Sequence, residues 1–456
     1  MLKFTHEDIA AALGAAFSFT GKAPDGSFGI TTDTRKLEPG DLFVGIRGGN
    51  TKEVAAKAKE AKACACILSC EAPEDLPCYR VVDTIKALQD LAAYQRARVK
   101  IPMIGVTGSC GKTTTKNMLG SIMKTLGETL VTEGNLNNEI GLPITLLKLG
   151  SEHKSAVVEM GMNHKGEILS LSRLARPNAA VITNVGSAHI EYLGSRENIA
   201  LAKAEIFRGV PPCGKVALPI ESDFFGKLSE LAKQLDLVVV SFGKGGDFEF
   251  VIKEECPAGL RGELKTPMGS VELNVPVIGA YNALNIACAA AGAYALIENI
   301  KLENIKTGLE NVKGEKLRNE LHEHKGARFI LDCYNANPDS MAASLTMLKE
   351  MDVKGRKAAL LGDMLEIGDK AKGAHYEIGR FASQFLDALF VTGEYAEDYA
   401  RGAKEGNCKC RVAVCEPKDV LEALKAYVKA DDAILFKGSR ANMLEEYFYE
   451  MFKNNQ

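Results

Sequence analysis

The chain lacks any marked imbalance of charge: among 456 residues, 56 lysines and arginines stand against 59 aspartates and glutamates, a formal charge of −3. Near-neutrality excludes a global pull toward nucleic acid or an anionic membrane, so neither is an expected partner and any anionic ligand must be held by a local site. Long apolar runs are also missing. The longest, "IACAAAGAYALI" from Ile286 to Ile297, is alanine-rich and falls well short of the roughly 18 residues of a membrane span. Glu7 and Asp8 stand where a secretory signal would be basic, and no cleavage site follows. Thr5 and Asp8 read instead as the cap and third residue of a helix. A cytoplasmic location is expected. The twelve cysteines form no disulfide framework and no CxxC pair, so the clusters Cys64, Cys66, Cys70 and Cys408, Cys410, Cys415 read as reduced structural thiols rather than zinc sites. Repeats and low-complexity tracts are absent.

What is there is the composition of a globular protein, 46% hydrophobic and 25% charged. The length exceeds one ordinary core, and three domains are expected. Residues 1–98 hold a short helix and strand-like runs separated by Pro39, Gly40 and Asp41, a small α/β module. From Ile101 strand-then-helix units follow one another ("IPMIGVTG", "SAVVEMG", "AAVITNVG", "KVALPI", "LVVVSFG"), which argues for a mainly parallel sheet over 99–314. A polar β-rich stretch spans Asp247 to Val277, and periodicity lapses in a charged linker around Lys313 to Glu320. The alternation then restarts in 315–456, a second, Rossmann-like unit. The fold class is α/β throughout.

The stretch "GVTGSCGKTTTKN" carries the first chemistry. A phosphate loop needs backbone N–H groups converging on an anion at a helix start, and here a strand precedes and a helix follows. Gly108, Ser109, Cys110 and Gly111 form the turn, Lys112 can neutralise β- and γ-phosphate charge, and Thr113 can ligate magnesium, with Thr114 beside it. A Walker A loop would have glycine five positions before Gly111, where this chain has Val106. "VVEMG" sets Glu159 at the end of a buried apolar strand, where a carboxylate is costly unless paired or metal-bound. His189 follows another strand end, and Lys203 comes fourteen residues later in "AKAEIF".

The shorter loop resembles that of the Mur ligase family, ATP-dependent amide ligases of peptidoglycan synthesis, and other motifs follow in the family's order over nearly the whole chain. The resemblance implies a magnesium set of Thr113, Glu159, His189 and Lys203, with Lys203 a candidate for carbamylation, and a catalytic group of Lys112, Glu159, His189 and Lys203. It implies ATP contacts from the loop and from Asn282 in "GAYNALN", Arg318 in "LRNE" and Asp332 in "LDCYNANP". Asn285 is a second amide in the adenine segment; Tyr281 departs from the family's usual histidine and is given no role. "TDTRKLEPGDLFVGIRG" is similar to the uridine-nucleotide module, with Thr34, Arg35 and Arg47 as contacts, although "GGNTKEVAAKA" replaces the family's Asp-Gly-His segment. "TEGNLNNEIGLP" brings Asn135 and Asn138 toward substrate.

"YNANPDSM", with Asn335 and Asn337, "LLGDMLEIG" with the later His375, and "LFKGSRANMLEE" resemble the member that joins UDP-MurNAc-tripeptide to D-alanyl-D-alanine. The resemblance implies an acyl phosphate made from the tripeptide carboxylate and ATP, then displacement of phosphate by an amine, in a monomer. Folylpolyglutamate synthase shares the ATP-ligase core but lacks the leading module. A P-loop switch or motor would leave "YNANP" and "KGSR" without purpose.

Overall fold

The structure, a computed structural model, describes residues 2–256, 258–407 and 409–453; Cys408 of the second cysteine cluster lies outside them. The first helix, His6–Leu13, starts on a capping box in which the Thr5 side chain accepts from the Asp8 amide and the Asp8 carboxylate accepts from the Thr5 amide. The first sheet has five strands, with Phe17–Thr20 antiparallel at one edge and the other pairs parallel. Helix Thr84–Arg98 buries Leu88, Leu91 and Ala92 at helical spacing, and the apolar cluster continues through Leu142 and Leu146 of the next part of the chain. Each such leucine contributes roughly 1.5–3 kcal/mol on burial. The first module is thus welded to the second along one core. Buried Arg96 tightens the seam by donating to the carbonyls of Ala175, Val99 and Arg176 at 2.8, 2.8 and 3.2 Å.

The second sheet has six strands, all parallel, in the order Val238–Phe242, Lys215–Pro219, Ala179–Ile182, Met103–Thr107, Ser155–Glu159, Thr129–Val131. Its central strands are buried on both faces, as apolar runs such as "SAVVE" require. The chain leaves Met103–Thr107 toward one edge and later crosses to the other side, so a switch point lies beyond that strand's carboxyl end, where open α/β sheets bind ligands. An antiparallel meander of Glu249–Cys256, Gly259–Thr266 and Gly269–Val275 follows and packs on helix Asn282–Leu296.

The last sheet has six strands, parallel except for the edge hairpin Glu320–His324 with Ala327–Leu331. The final strand, Ala433–Lys437, inserts between Ala327–Leu331 and Lys357–Leu361. Asp332, Gly362 and Lys437 therefore meet at one end, although a hundred residues separate the first from the last. No helix among the described residues is long and apolar enough to cross a membrane.

Candidate active site

The glycine loop occupies the switch point. Gly108 and Gly111 have φ of +157° and +76°, and a Cβ at either would overlap the Thr183 hydroxyl or the Asn285 amide oxygen. The Asn184 amide oxygen accepts from the amides of Ser109 and Cys110 at 3.0 and 2.9 Å, the Thr183 hydroxyl donates to the Cys110 carbonyl at 2.5 Å, and Lys112 Nζ donates to the Gly108 carbonyl at 2.8 Å. No side chain caps the helix that starts at Lys112, and its first turn lines a cleft of about 410 Å³. Burial lowers the Lys112 ammonium from its ordinary range, opposed by the pull of Glu159.

Glu159, 2% exposed, lies at the next strand end. It accepts from the Thr113 hydroxyl at 3.1 Å and the Asn137 amide at 2.8 Å, and its own amide donates to Thr132 Oγ1 at 3.0 Å. Lys203 is 1% exposed and its ammonium has no hydrogen-bond or ion-pair partner among the described residues. Burial first, then the neighbouring Lys112 charge, push that ammonium well below the usual lysine range. His189 has left-handed φ of +64° and turns to the C-terminal part, its Nδ1 2.7 Å from Glu366 Oε2 at an angle outside hydrogen-bond geometry. Thr113 and Glu159 are thus in contact, while His189 faces Glu366 and Lys203 stands alone. Among the described residues no three His, Cys, Asp or Glu side chains converge closely enough to hold a metal by themselves.

The far wall of the cleft belongs to the C-terminal part: Asp332, Asn335, Asn337, Ser344 and Lys437, with Arg318 from the linker. Asp332 Oδ2 accepts from Lys437 Nζ at 2.5 Å and Ser344 Oγ at 2.6 Å. Arg318 stacks 4.2 Å over the Tyr334 ring. A second cavity of about 300 Å³ shares Thr114, Arg318 and Asn319 and adds Asn282. Asn282 donates to the Ile278 carbonyl at 2.7 Å and accepts from Asn285 at 2.7 Å, while Asn285 also accepts from the Thr115 hydroxyl at 3.4 Å. Asn337 caps helix Pro338–Glu350 and donates to Cys110 Sγ at 3.4 Å; Asp339 accepts from the Ser187 amide and hydroxyl at 2.7 and 2.8 Å. The loop and the C-terminal part are already in contact. Burial raises the Cys110 thiol above its ordinary range.

The remaining sequence-named residues lie apart. Arg35 is exposed and forks onto Asp33 at 2.9 and 2.8 Å, holding that carboxyl at about 2; Thr34 starts the same short turn. Arg47 reaches Glu139 at 2.5 Å, joining the first module to the "TEGNLNNE" loop. In that loop Asn135 is exposed and Asn138 caps the amides of Ile140 and Gly141, whereas Asn137 between them is the one that reaches Glu159. Asn137, Asn184, Lys437 and Glu366 join the site without being singled out by the sequence motifs. Lys437 carried the signal used for Glu159, a charge ending an apolar strand ("AILFK"). The other three carry none, because loop conformation alone selects them.

A helix start left without a side-chain cap, with a lysine and a threonine beside a cleft at a sheet's switch point, suits a polyphosphate, and it sets the chain among P-loop nucleotide-binding proteins. The comparisons narrow the class. The family model of the Mur ligase middle domain matches residues 106–293, and that of the Mur ligase glutamate ligase domain matches 317–440. The chain belongs to the Mur ligase family. It is 36% identical over 465 residues to the UDP-N-acetylmuramoyl-tripeptide--D-alanyl-D-alanine ligase of Bacillus subtilis, covering 100% of this chain and 99% of the relative. With the Escherichia coli enzyme of the same name it shares 34% identity, covering 93% and 94%. A crystal structure of MurF from Acinetobacter baumannii superposes with a TM-score of 0.91 at 33% identity over 100% of both chains. MurF from Thermotoga maritima, in complex with ADP, gives 0.80 at 28% identity over 93% and 97%. Folylpolyglutamate synthase of Mycobacterium tuberculosis gives 0.63 at 18% identity, a likeness of fold alone.

Proposed function

We propose that the chain is the cytoplasmic ligase that joins D-alanyl-D-alanine to UDP-MurNAc-tripeptide at the expense of ATP, the last soluble step in making the pentapeptide precursor of peptidoglycan. Full-length similarity to relatives that bear this name carries the reading. The cleft between Lys112 and Asp332 supports it, because an acyl-phosphate route must bring a triphosphate and a carboxylate together against their repulsion. Lys112 and the first-turn amides would take the phosphates, Asn282 and Asn285 the adenine, Arg318 the phosphates from the linker side, and the second oxygen of Asp332 a ribose hydroxyl. Residues 1–98 would hold the uridine nucleotide through Thr34, Arg35 and Arg47, residues 99–314 the ATP, and residues 315–456 the dipeptide, with Asn335 and Asn337 at the junction.

The donor set fits magnesium. A hydroxyl and a buried carboxylate 3.1 Å apart, Thr113 and Glu159, are hard oxygen ligands. Lys203, buried without a partner and with its amine held toward the neutral form, has the state in which carbon dioxide adds to give a carbamate, an anionic group in the same neighbourhood. His189 would complete the set. Bound there, magnesium would supply charge neutralisation between the β- and γ-phosphates. Asn137 orients Glu159, and Asn184 holds the loop in its curled form, so the groups proposed to take metal and phosphate are fixed before any charge develops. The test is ADP release and product mass with UDP-MurNAc-tripeptides ending in lysine or diaminopimelate, with and without D-Ala-D-Ala. Absence of product with either would overturn the assignment; folate-stimulated ATP turnover would redirect it.

A further inference from the structure

Asp332, at a strand end of the C-terminal sheet, Asp339, in the first turn of helix Pro338–Glu350, and Asp363, at another strand end of that sheet, are all engaged. Lys437 and Ser344 hold the first, Ser187 the second, and the amides of Glu394 and Tyr395 donate to the third at 2.9 and 3.0 Å. Glu366 differs. Its side chain is 37% exposed, Oε2 meets His189 off hydrogen-bond geometry, and Oε1 has no partner among the described residues. Its loop is pinned, not loose: the Met364 amide donates to His375 Nε2 at 2.9 Å and the Leu365 amide to Ser439 Oγ at 3.0 Å. Glu366 itself has φ of +62°, a backbone conformation that L residues with long side chains rarely adopt and that here aims the carboxylate across the gap.

The surroundings explain why a carboxylate would be kept there. Lys112 and Arg318 line the cleft and place positive charge around the reacting centre, and an amine that arrives as an ammonium is repelled by such a centre. Glu366 Oε2 lies 2.7 Å from His189 Nδ1, and Oε1 is left without a partner among the described residues, open to receive a cationic group. We propose that Glu366 receives the ammonium group of the incoming dipeptide and positions it beside the acyl phosphate. The inference rests on the ligase reading above. Glu366 is a binding and positioning residue, and it takes no part in forming the acyl phosphate.

The experiment uses the full chain as wild type, Glu366→Gln and Glu366→Asp, with ATP, magnesium and UDP-MurNAc-tripeptide, varying D-Ala-D-Ala. Hydroxylamine, uncharged at neutral pH, serves in parallel as a nucleophile that attacks the acyl phosphate, giving a hydroxamate and releasing phosphate. Glu366→Gln should raise the KM for the dipeptide about tenfold to a hundredfold, the range of a lost charged hydrogen bond, while the KM for ATP and hydroxamate formation stay unchanged. Glu366→Asp should recover part of the dipeptide KM. An unchanged dipeptide KM, or a parallel fall in hydroxamate formation, would overturn the inference. A wild type that makes no product with D-Ala-D-Ala would instead strike the ligase reading, so the two failures are distinct.

Discussion

Replacing Asp332 by alanine tests whether the C-terminal wall of the cleft is held by a buried ion pair. Lys437 is 2% exposed, and without Asp332 Oδ2 its ammonium keeps only the carbonyls of residues 332 and 335, both at 3.4 Å. Breaking a buried pair by removing one partner costs roughly 3–5 kcal/mol, because the remaining charge is left uncompensated. At roughly 3 °C per kcal/mol for a unit of this size, the C-terminal transition in calorimetry should fall by roughly 9–15 °C. The double variant Asp332→Ala, Lys437→Met removes both charges and should recover to within about 1 kcal/mol of the wild type, since an apolar pair of similar volume is often neutral. Nucleotide affinity should not recover with it, because the second oxygen of Asp332 is gone in both variants. A single variant as stable as wild type, or a double variant no more stable than the single, would refute the ion-pair account. Restored nucleotide affinity in the double would refute the ribose role.

Lys203→Ala should reduce kcat by about tenfold to a hundredfold or more, as loss of a group supporting a metal does, and a carbamate carbon signal seen in wild type with labelled bicarbonate should vanish; full activity in the variant would remove the carbamate. His375 accepts from the Met364 amide while its Nδ1 meets the Ala371 carbonyl at 2.7 Å, an arrangement that needs the neutral ring, and burial lowers its pKa. The unfolded chain therefore binds more protons below about pH 6.5, so this contribution to stability is full above that value and is lost as pH falls through the lower folded pKa. A His375→Gln variant with the same slope of Tm against pH as wild type would count against it. Gly111→Ala should weaken nucleotide binding about tenfold or more, because φ of +76° costs a side chain roughly 1–2 kcal/mol and the Cβ overlaps Asn285. Alkylation of Cys110 should be slow at neutral pH, given its raised thiol pKa, prevented by ATP and inactivating; a fully alkylated chain with full activity would contradict the contact with Asn337.

Local pattern and strand-end charge were legible without coordinates. The alternation of apolar strands and helices, the loop glycines, the Thr5 and Asp8 cap and the burial of Glu159 all follow from spacing and polarity within a few residues. Glu159 could be named because it ends a buried apolar strand and Lys112 because it follows the loop glycines, whereas Asp332 came from the family resemblance. The family resemblance then drew His189 and Lys203 into the same list.

What spacing could not reach was which neighbour each group has. Asn137 rather than Asn135 or Asn138 meets Glu159, because Asn138 is taken up by the amides of its own loop and Asn135 is exposed. Asn184, from a loop 74 residues further on, holds the amide of Cys110, and Lys437 meets Asp332 only because the last strand inserts between two earlier ones. His189 faces Glu366 through contacts between parts of the chain far apart in sequence. The sequence by itself determined the elements and the chemistry each strand end carries, since these depend on local periodicity and on the cost of burying charge. Only the tertiary structure decided the pairing of those ends, since strand order and domain contact are set by packing over long loops, where no local pattern records them.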